Sequence, residues 1–172
     1  MLINYEKILL DDTEAIEELS ALATGIVKEH YDPIIGAEVN DYMINLFQSV
    51  SGITEQLKNG YQYYVVRDTS GNKMGFFAFY PREQDIYLSK FYLIKEQRGK
   101  GIARDILQFV IGKTKEYGFS SIVLNVNKYN YGAIMAYEKM GFRRIRGEKK
   151  DIGNGYYMDD WIYEYVIEKG IC

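Results

Sequence analysis

Apolar residues recur at helical spacing over the first third of the chain. The stretch DDTEAIEELSALATGIVKEHY opens with acidic and capping residues, and its apolar residues then return every three or four positions, at Ile16, Leu19, Leu22, Ala23 and Ile26. This spacing predicts an amphipathic helix with a capped start. Asp32-Pro33 and Gly36 are predicted to break it. The helical period resumes in AEVNDYMINLFQSV, and ITEQLKNG predicts a short helix closed by Gly60.

Strand patterns follow. LINYEKILL at the start of the chain predicts a first strand, and YQYYVVR and KMGFFAFY flank the turn residues DTSGN, which predicts a hairpin. DIYLSKFYLI and SSIVLNV predict two further strands. FRRIRGEKK and YMDDWIYEYVI predict a last pair, joined by DIGNG.

Two helices separate these later strands. One ends at Gly118 and carries apolar residues along one side, at Ile102, Ile106, Leu107, Val110 and Ile111. The other is NYGAIMAYEKM, which ends at Gly141. The strand–helix–strand succession over residues 85–126 predicts a parallel pair with a crossover helix. The sequence therefore predicts a mixed α/β fold, as a single domain over residues 1–172.

Composition narrows the function classes. The net charge of −3 and the pI near 5.3 argue against non-specific nucleic-acid binding. The single cysteine, Cys172, and the single histidine, His30, argue against a metal site. No apolar run has the length of a membrane helix, and the N-terminus does not resemble a secretory signal, so we expect a cytoplasmic protein.

Glycines and basic residues are concentrated in EQRGKGIARDIL, residues 96–107, directly before a predicted helix. A helix N-terminus carries unpaired N–H groups and partial positive charge, and both favour an anion. Gly99 and Gly101 let the backbone approach a ligand closely, while Arg98, Lys100 and Arg104 add charge. A plain strand-to-helix turn explains the same residues equally well. The Lys-Ser/Thr of a nucleotide P-loop is missing, which makes a nucleotide triphosphatase a poor interpretation.

A second segment decides between these alternatives. LNVNKYNYGAIMAYEKMGF places Asn130, Ala133 and Tyr137 on one face of a helix. Singly, Asn130 is typical of a cap and Tyr137 of a packing residue. Together the two segments resemble the GNAT N-acetyltransferase superfamily, because RGKGIA fits its R/Q-x-x-G-x-G/A loop and the later segment fits its N-x-x-A-x-x-x-Y-x-x-x-G-F pattern. The resemblance covers about residues 60–167, and the early helices, about residues 12–59, more loosely.

The resemblance implies the acyl-CoA N-acyltransferase fold, a mostly antiparallel central sheet flanked by helices, with one parallel pair that splays apart around the pantetheine arm of acetyl-CoA. The backbone of Leu93 and Ile94 would then hydrogen-bond that arm. Asn130 would contact the pantetheine or cap its helix, and Tyr137 would point at the sulfur. The backbone N–H groups of one loop would hold the pyrophosphate, namely those of Arg98, Gly99, Lys100, Gly101, Ile102 and Ala103.

The implied chemistry is direct attack of a neutral amine on the thioester, with no metal. A backbone N–H near Leu93 would stabilise the oxyanion. Tyr137 would give the leaving thiolate a proton, since the reference pKa of tyrosine is about 10. Some amine acetylators of this superfamily place a carboxylate base on the strand before the loop, but this chain has LSKF at residues 88–91. Water, a backbone carbonyl or Ser89 remain open as the proton path. Asp85 and Glu38 are weak candidates, so no base is assigned.

The acceptor amine is expected between the early helices and the final hairpin. Acidic and aromatic residues there favour a small cationic amine, as in the bacterial spermidine/spermine acetyltransferases, namely Asp32, Glu38, Asp41, Tyr42, Asp159 and Asp160. The same acids are equally typical of caps and solvated surface. A peptide or protein amine, at an N-terminus or a lysine, is the alternative acceptor, and a non-catalytic acetyl-CoA-binding module is the alternative function. The last strand, YMDDWIYEYVI, is compatible with pairing across a homodimer interface or with a central position in the sheet.

Overall fold

The structure is a computed structural model that describes residues 2–168. Its seven strands form one sheet in the order β1-β2-β3-β4-β5-β7-β6. The β4–β5 pair is parallel, whereas β1–β2, β2–β3, β5–β7 and β6–β7 are antiparallel. The mixed α/β fold with a mostly antiparallel sheet is thereby confirmed. The elements in chain order are β1 (Ile3–Lys7), α1 (Thr13–Ile35), α2 (Ala37–Phe47), α3 (Val50–Lys58), β2 (Gln62–Asp68), β3 (Lys73–Pro81), β4 (Ile86–Leu93), a 3-10 turn (Lys95–Gln97), α4 (Ile102–Glu116), β5 (Ser121–Asn127), α5 (Tyr131–Met140), β6 (Arg143–Gly153) and β7 (Tyr156–Val166).

The chain divides into two compact units, and β4 contributes to both. The first unit comprises Met1–Tyr80 and Lys90–Ile102, and the second comprises Pro81–Ser89 and Ala103–Cys172. The prediction of one domain over residues 1–172 stays a prediction.

The first unit has its core where the predicted stripe of α1 meets β2 and β3. The buried residues of this cluster include Ile16, Leu19, Tyr63 and Phe76. Each side chain of this kind contributes about 1.5–3 kcal/mol by leaving water. Tyr92 and Ile94 pack against the same cluster, so the end of β4 is anchored to it a few residues before the glycine loop, residues 98–101.

The predicted break of the first helix at Asp32-Pro33 is wrong. Helix α1 continues through Pro33 to Ile35 and ends at Gly36, where φ is +89°. A proline inside a helix removes one backbone hydrogen bond. The last turns are held instead by Asn40 of α2, whose Nδ2 donates to the backbone oxygen of Val27 at 3.1 Å and to the Asp32 carboxylate at 2.8 Å. These contacts tie the last turns of α1 to α2 and stabilise the helix near its proline.

The second unit contains α4, β5, α5 and the β6–β7 hairpin. Ile106 and Val110 of α4 are fully buried, as the predicted stripe requires. Asn154 and Gly155 turn the hairpin with φ of 54° and 78°. Positive φ at both positions is the requirement of a type I′ turn, which the Asn-Gly pair in DIGNG predicts.

Candidate functional site

The glycine loop stands open immediately before α4. Gly99 and Gly101 have φ of +76° and +83°, a left-handed conformation that favours glycine. No heavy atom of residues 2–168 lies within 4 Å of the position that a Cβ would take at either glycine, apart from those of the chain neighbours. Both glycines are therefore required by backbone conformation, and the space beside them is free for a ligand. Helix α4 begins at Ile102, and the first N–H groups of a helix have no partner within it.

Arg98 ties this loop to the end of β4. Its Nε and one terminal nitrogen donate to the backbone oxygen of Leu93 at 3.3 and 3.2 Å. Lys100 donates to the side chain of Gln97 at 3.3 Å. The Arg98 side chain thus fixes the loop, a role that the sequence did not predict.

Two of the backbone N–H groups that the resemblance assigns to acetyl-CoA already have acceptors in the protein. The N–H of Ile94 donates to the Met74 oxygen at 2.9 Å, and that of Arg98 donates to the Lys95 oxygen at 3.2 Å. Contacts of these two N–H groups with acetyl-CoA stay predictions. Each contact would replace the hydrogen bond that the group makes within the protein.

Helix α5 carries the two predicted residues of the second unit. Asn130 is buried and caps the helix, because its Oδ1 accepts from the N–H of Ala133 at 3.4 Å. Tyr137 is half-buried, and its ring centroid lies 5.8 Å from that of Phe142. Arg104 of α4 donates to the backbone oxygen of Lys139 at 3.3 Å, so its guanidinium binds the last turn of α5. A contact of Asn130 or Tyr137 with acetyl-CoA stays a prediction.

The predicted residues fall into two groups, one in each unit. Ala103, Asn130 and Tyr137 belong to the second unit. Within the first unit the Leu93–Arg98 bond brings the strand end and the loop together. The members of that first group are Leu93, Ile94, Arg98, Gly99, Lys100, Gly101 and Ile102.

Three of the candidate acceptor acids already have a cation. Lys28 lies 3.0 Å from Asp32 and 2.9 Å from Asp41. Lys128 lies 2.9 Å from Asp159. These pairs support the interpretation that the three carboxylates are structural.

Asp160 is different from these acids. It is 4% exposed, and Asn125 donates to its carboxylate at 3.4 Å. Burial is the largest cause that raises the pKa of Asp160, to about 6. The sequence placed Asp160 among the acceptor acids but gave no sign of its burial.

Lys90 is a buried lysine on β4 whose burial the sequence did not predict. It is 7% exposed, and its Nζ donates to the backbone oxygen of Phe47 at 3.3 Å. Burial lowers the pKa of Lys90 to about 7. The strand pattern contains a signal for this burial, because Ile86, Leu88 and Lys90 are two residues apart and therefore lie on one face of the strand. All three are buried.

In residues 2–168, no three His, Cys, Asp or Glu residues are grouped to hold a metal ion. None of the helices described there is long and apolar enough to cross a membrane. Cys172 lies outside the described residues.

The seven-stranded mixed sheet with its flanking helices places the protein in the mixed α/β class, with an open glycine loop before α4 and a capped helix α5. The chain belongs to the acetyltransferase (GNAT) family, whose model matches residues 26–142.

Two relatives with similar sequences are also named acetyltransferases. The chain is 24% identical over 118 residues to rat N-acetyltransferase family 8 member 2, covering 64% of the chain and 52% of the relative. It is 37% identical over 68 residues to an N-alpha-acetyltransferase of Saccharolobus solfataricus, covering 39% of the chain and 38% of the relative. The chain thus spans about half the length, or less, of these curated relatives.

Solved structures share the fold. The PaiA N-acetyltransferase of Thermoplasma acidophilum, in complex with coenzyme A, superimposes with a TM-score of 0.75 at 21% identity, over 96% of this chain and 99% of that one. The spermidine N-acetyltransferase of Vibrio cholerae, in complex with CoA and spermine, gives a TM-score of 0.62 at 20% identity, over 95% of each chain. At these identities the likeness establishes the fold alone.

Proposed function

We propose that this protein transfers the acetyl group of acetyl-CoA to a primary amine by direct attack, with a small cationic amine or polyamine as the favoured acceptor. Family membership supports the reaction class. The spermidine N-acetyltransferase with the same fold supports a polyamine as the first acceptor to try.

The observation that carries the proposal is the open loop at Gly99 and Gly101. A pyrophosphate needs several N–H donors and room to approach the backbone, and two left-handed glycines before a helix N-terminus supply both. Lys100 is exposed beside them and adds positive charge. The residues present therefore fit the pyrophosphate of acetyl-CoA.

Three further residues would then position acetyl-CoA and promote the reaction. The backbone of Leu93 would bind the pantetheine arm and stabilise the oxyanion. Asn130 holds the start of α5 through its cap. Tyr137, on the same helix, would protonate the thiolate of coenzyme A as the carbon–sulfur bond breaks.

A peptide N-terminus is the second candidate acceptor. One observation favours it, the 37% identity over 68 residues to an N-alpha-acetyltransferase. Incubation with acetyl-CoA and equal concentrations of spermidine and an N-terminal peptide, followed by mass spectrometry, separates the two. Acetylated spermidine in excess supports the polyamine, and acetylated peptide in excess supports the alternative.

Substitution Y137F tests the proposed acid. The thiolate would lose its proton donor while the binding groups stay in place, so we expect turnover to fall by about 10²-fold or more. The dissociation constant for acetyl-CoA, measured by calorimetry, is expected to change less than about threefold, which is under 1 kcal/mol.

The matched control is Y131F, on the same helix at an exposed position. It makes the same chemical change and is expected to leave both quantities unaltered. Full turnover in Y137F, with chemistry shown to be rate-limiting, would remove Tyr137 from the mechanism.

A further inference from the structure

The β6–β7 hairpin and β5 enclose one buried carboxylate, that of Asp160. It stands on β7 directly opposite Asn127 of β5 and Glu148 of β6 in the strand register. Asn125 of β5 donates to it at 3.4 Å, and Asn125 itself accepts from the hydroxyl of Tyr87 on β4 at 2.8 Å. A chain of two hydrogen bonds thus runs from Tyr87 of β4 through Asn125 of β5 to the Asp160 carboxylate of β7.

Within residues 2–168, this carboxylate has no ion pair. The cation close to it, Lys128, is bonded to Asp159 at 2.9 Å, and its Nζ also lies 4.5 Å from the ring centroid of Trp161. Buried carboxylates are normally paired or hydrogen-bonded, because burial of a lone charge is costly. Asp160 has one long hydrogen bond, which leaves capacity for a proton or a cationic group.

Asp160 and α5 lie on opposite faces of β7. Tyr163, three residues further along the strand, donates to Glu138 of α5 at 2.7 Å. Because successive side chains alternate between the faces of a sheet, Asp160 points to the other face. Helix α5 also carries Tyr137, the proposed proton donor.

We propose that Asp160 accepts the proton that the attacking amine loses during acetyl transfer. This inference rests on the proposed function. The amine nitrogen forms a bond to the thioester carbonyl carbon, whose π electrons move to oxygen, and an N–H proton passes to the Asp160 carboxylate. The carbonyl reforms as the carbon–sulfur bond breaks and the thiolate takes a proton from Tyr137. Solvent then removes the proton from Asp160 and returns one to Tyr137.

The surroundings of Asp160 shift its pKa toward the range that suits a general base. Burial raises its pKa most, and the charges of Glu148 and Asp159 act in the same direction, whereas Asn125 and Lys128 lower it. The result, a pKa of about 6, leaves the group ionised at neutral pH and close to the range at which a general base is most effective.

The test compares D160N with D151N, which makes the same chemical change on an exposed aspartate of β6 in the same hairpin. Two acceptors are used: spermidine, a strongly basic amine, and trifluoroethylamine, a weakly basic amine whose adduct loses its proton readily to water. We expect D160N to lower kcat/KM for spermidine by about 10²- to 10⁴-fold and that for trifluoroethylamine by less than about tenfold. D151N is expected to stay within about threefold of wild type with both, a difference below 1 kcal/mol.

The wild-type profile of kcat/KM against pH is a second readout that needs no variant. It is expected to break near pH 6, and D160N is expected to lack that break. A wild-type profile without the break, equal losses in D160N for both amines, or a D151N defect as large as that of D160N would overturn the inference. If wild type forms acetylated amine and D160N is fully active, this inference alone fails. If wild type forms none, the proposed function fails with it.

Discussion

Replacement of Lys90 by methionine is expected to stabilise the protein, and by an amount that depends on pH. Lys90 is 7% exposed, and burial lowers its pKa from 10.5 to about 7. One pKa unit corresponds to about 1.4 kcal/mol, so bringing this lysine into the core at pH 7 costs roughly 4 kcal/mol. Methionine has similar length and no charge to desolvate. The backbone oxygen of Phe47 keeps a second donor, because Gln56 also donates to it at 3.3 Å. We expect K90M to raise the free energy of unfolding at pH 7 by about 3 kcal/mol.

The stability difference between K90M and wild type is expected to decrease as the pH rises. Between about pH 7 and pH 10.5 the unfolded lysine keeps its proton while the folded one has lost it. The unfolded state therefore binds more protons in this window, and the stability of wild type rises with pH. Raising the pH from 7 to 9 is expected to add about 2 kcal/mol to wild type relative to K90M, so the advantage of the variant shrinks by that amount.

Urea unfolding followed by far-UV circular dichroism, which reports on the helices of both units, measures both quantities. The control is K58M, an exposed lysine of α3 in the same unit, for which the difference from wild type is expected to stay within about 0.5 kcal/mol at both pH values. A K90M advantage of equal size at pH 7 and pH 9, or a variant less stable than wild type at both, would refute the reasoning.

Three further substitutions test the loop and α5. G101A should weaken acetyl-CoA binding, measured by calorimetry, at least tenfold, a loss of about 1.4 kcal/mol. The control G71A has nearly the same φ in a remote turn, so it should cost similar stability and leave binding unchanged. Equal affinities of the two variants would contradict the loop assignment. R98A should lower affinity by releasing the loop from Leu93, and unaltered affinity would count against that role. N130A should destabilise the protein by about 1 kcal/mol in thermal unfolding through the lost cap, and no loss would contradict the cap.

Local chemistry explains what the sequence predicted well. The β6–β7 turn follows from an Asn-Gly pair, since both residues adopt positive φ there. The cap at Asn130 and the left-handed Gly141 that ends α5 likewise follow from residues within one helix. Such features depend on residues that are close together along the chain, so they can be predicted from a single sequence.

Contacts between distant residues explain what the sequence did not predict. Helix α1 passes through Pro33, and Asn40 of α2 stabilises its last turns. Lys90 is buried against the Phe47 carbonyl, 43 residues earlier in the chain. Asp160 was visible as an acid, but its burial and its contact with Asn125 of β5 depend on how strands pair. The candidate base therefore emerged only from the fold.

The most direct test of the account is a single reaction of wild-type protein with acetyl-CoA and spermidine, in which free coenzyme A and acetylated spermidine are both quantified. We predict that the two products appear in equal amounts, at a rate that depends on protein concentration. Binding of acetyl-CoA without formation of either product, or release of coenzyme A without any acetylated amine, would contradict the claim that this protein is an amine acetyltransferase.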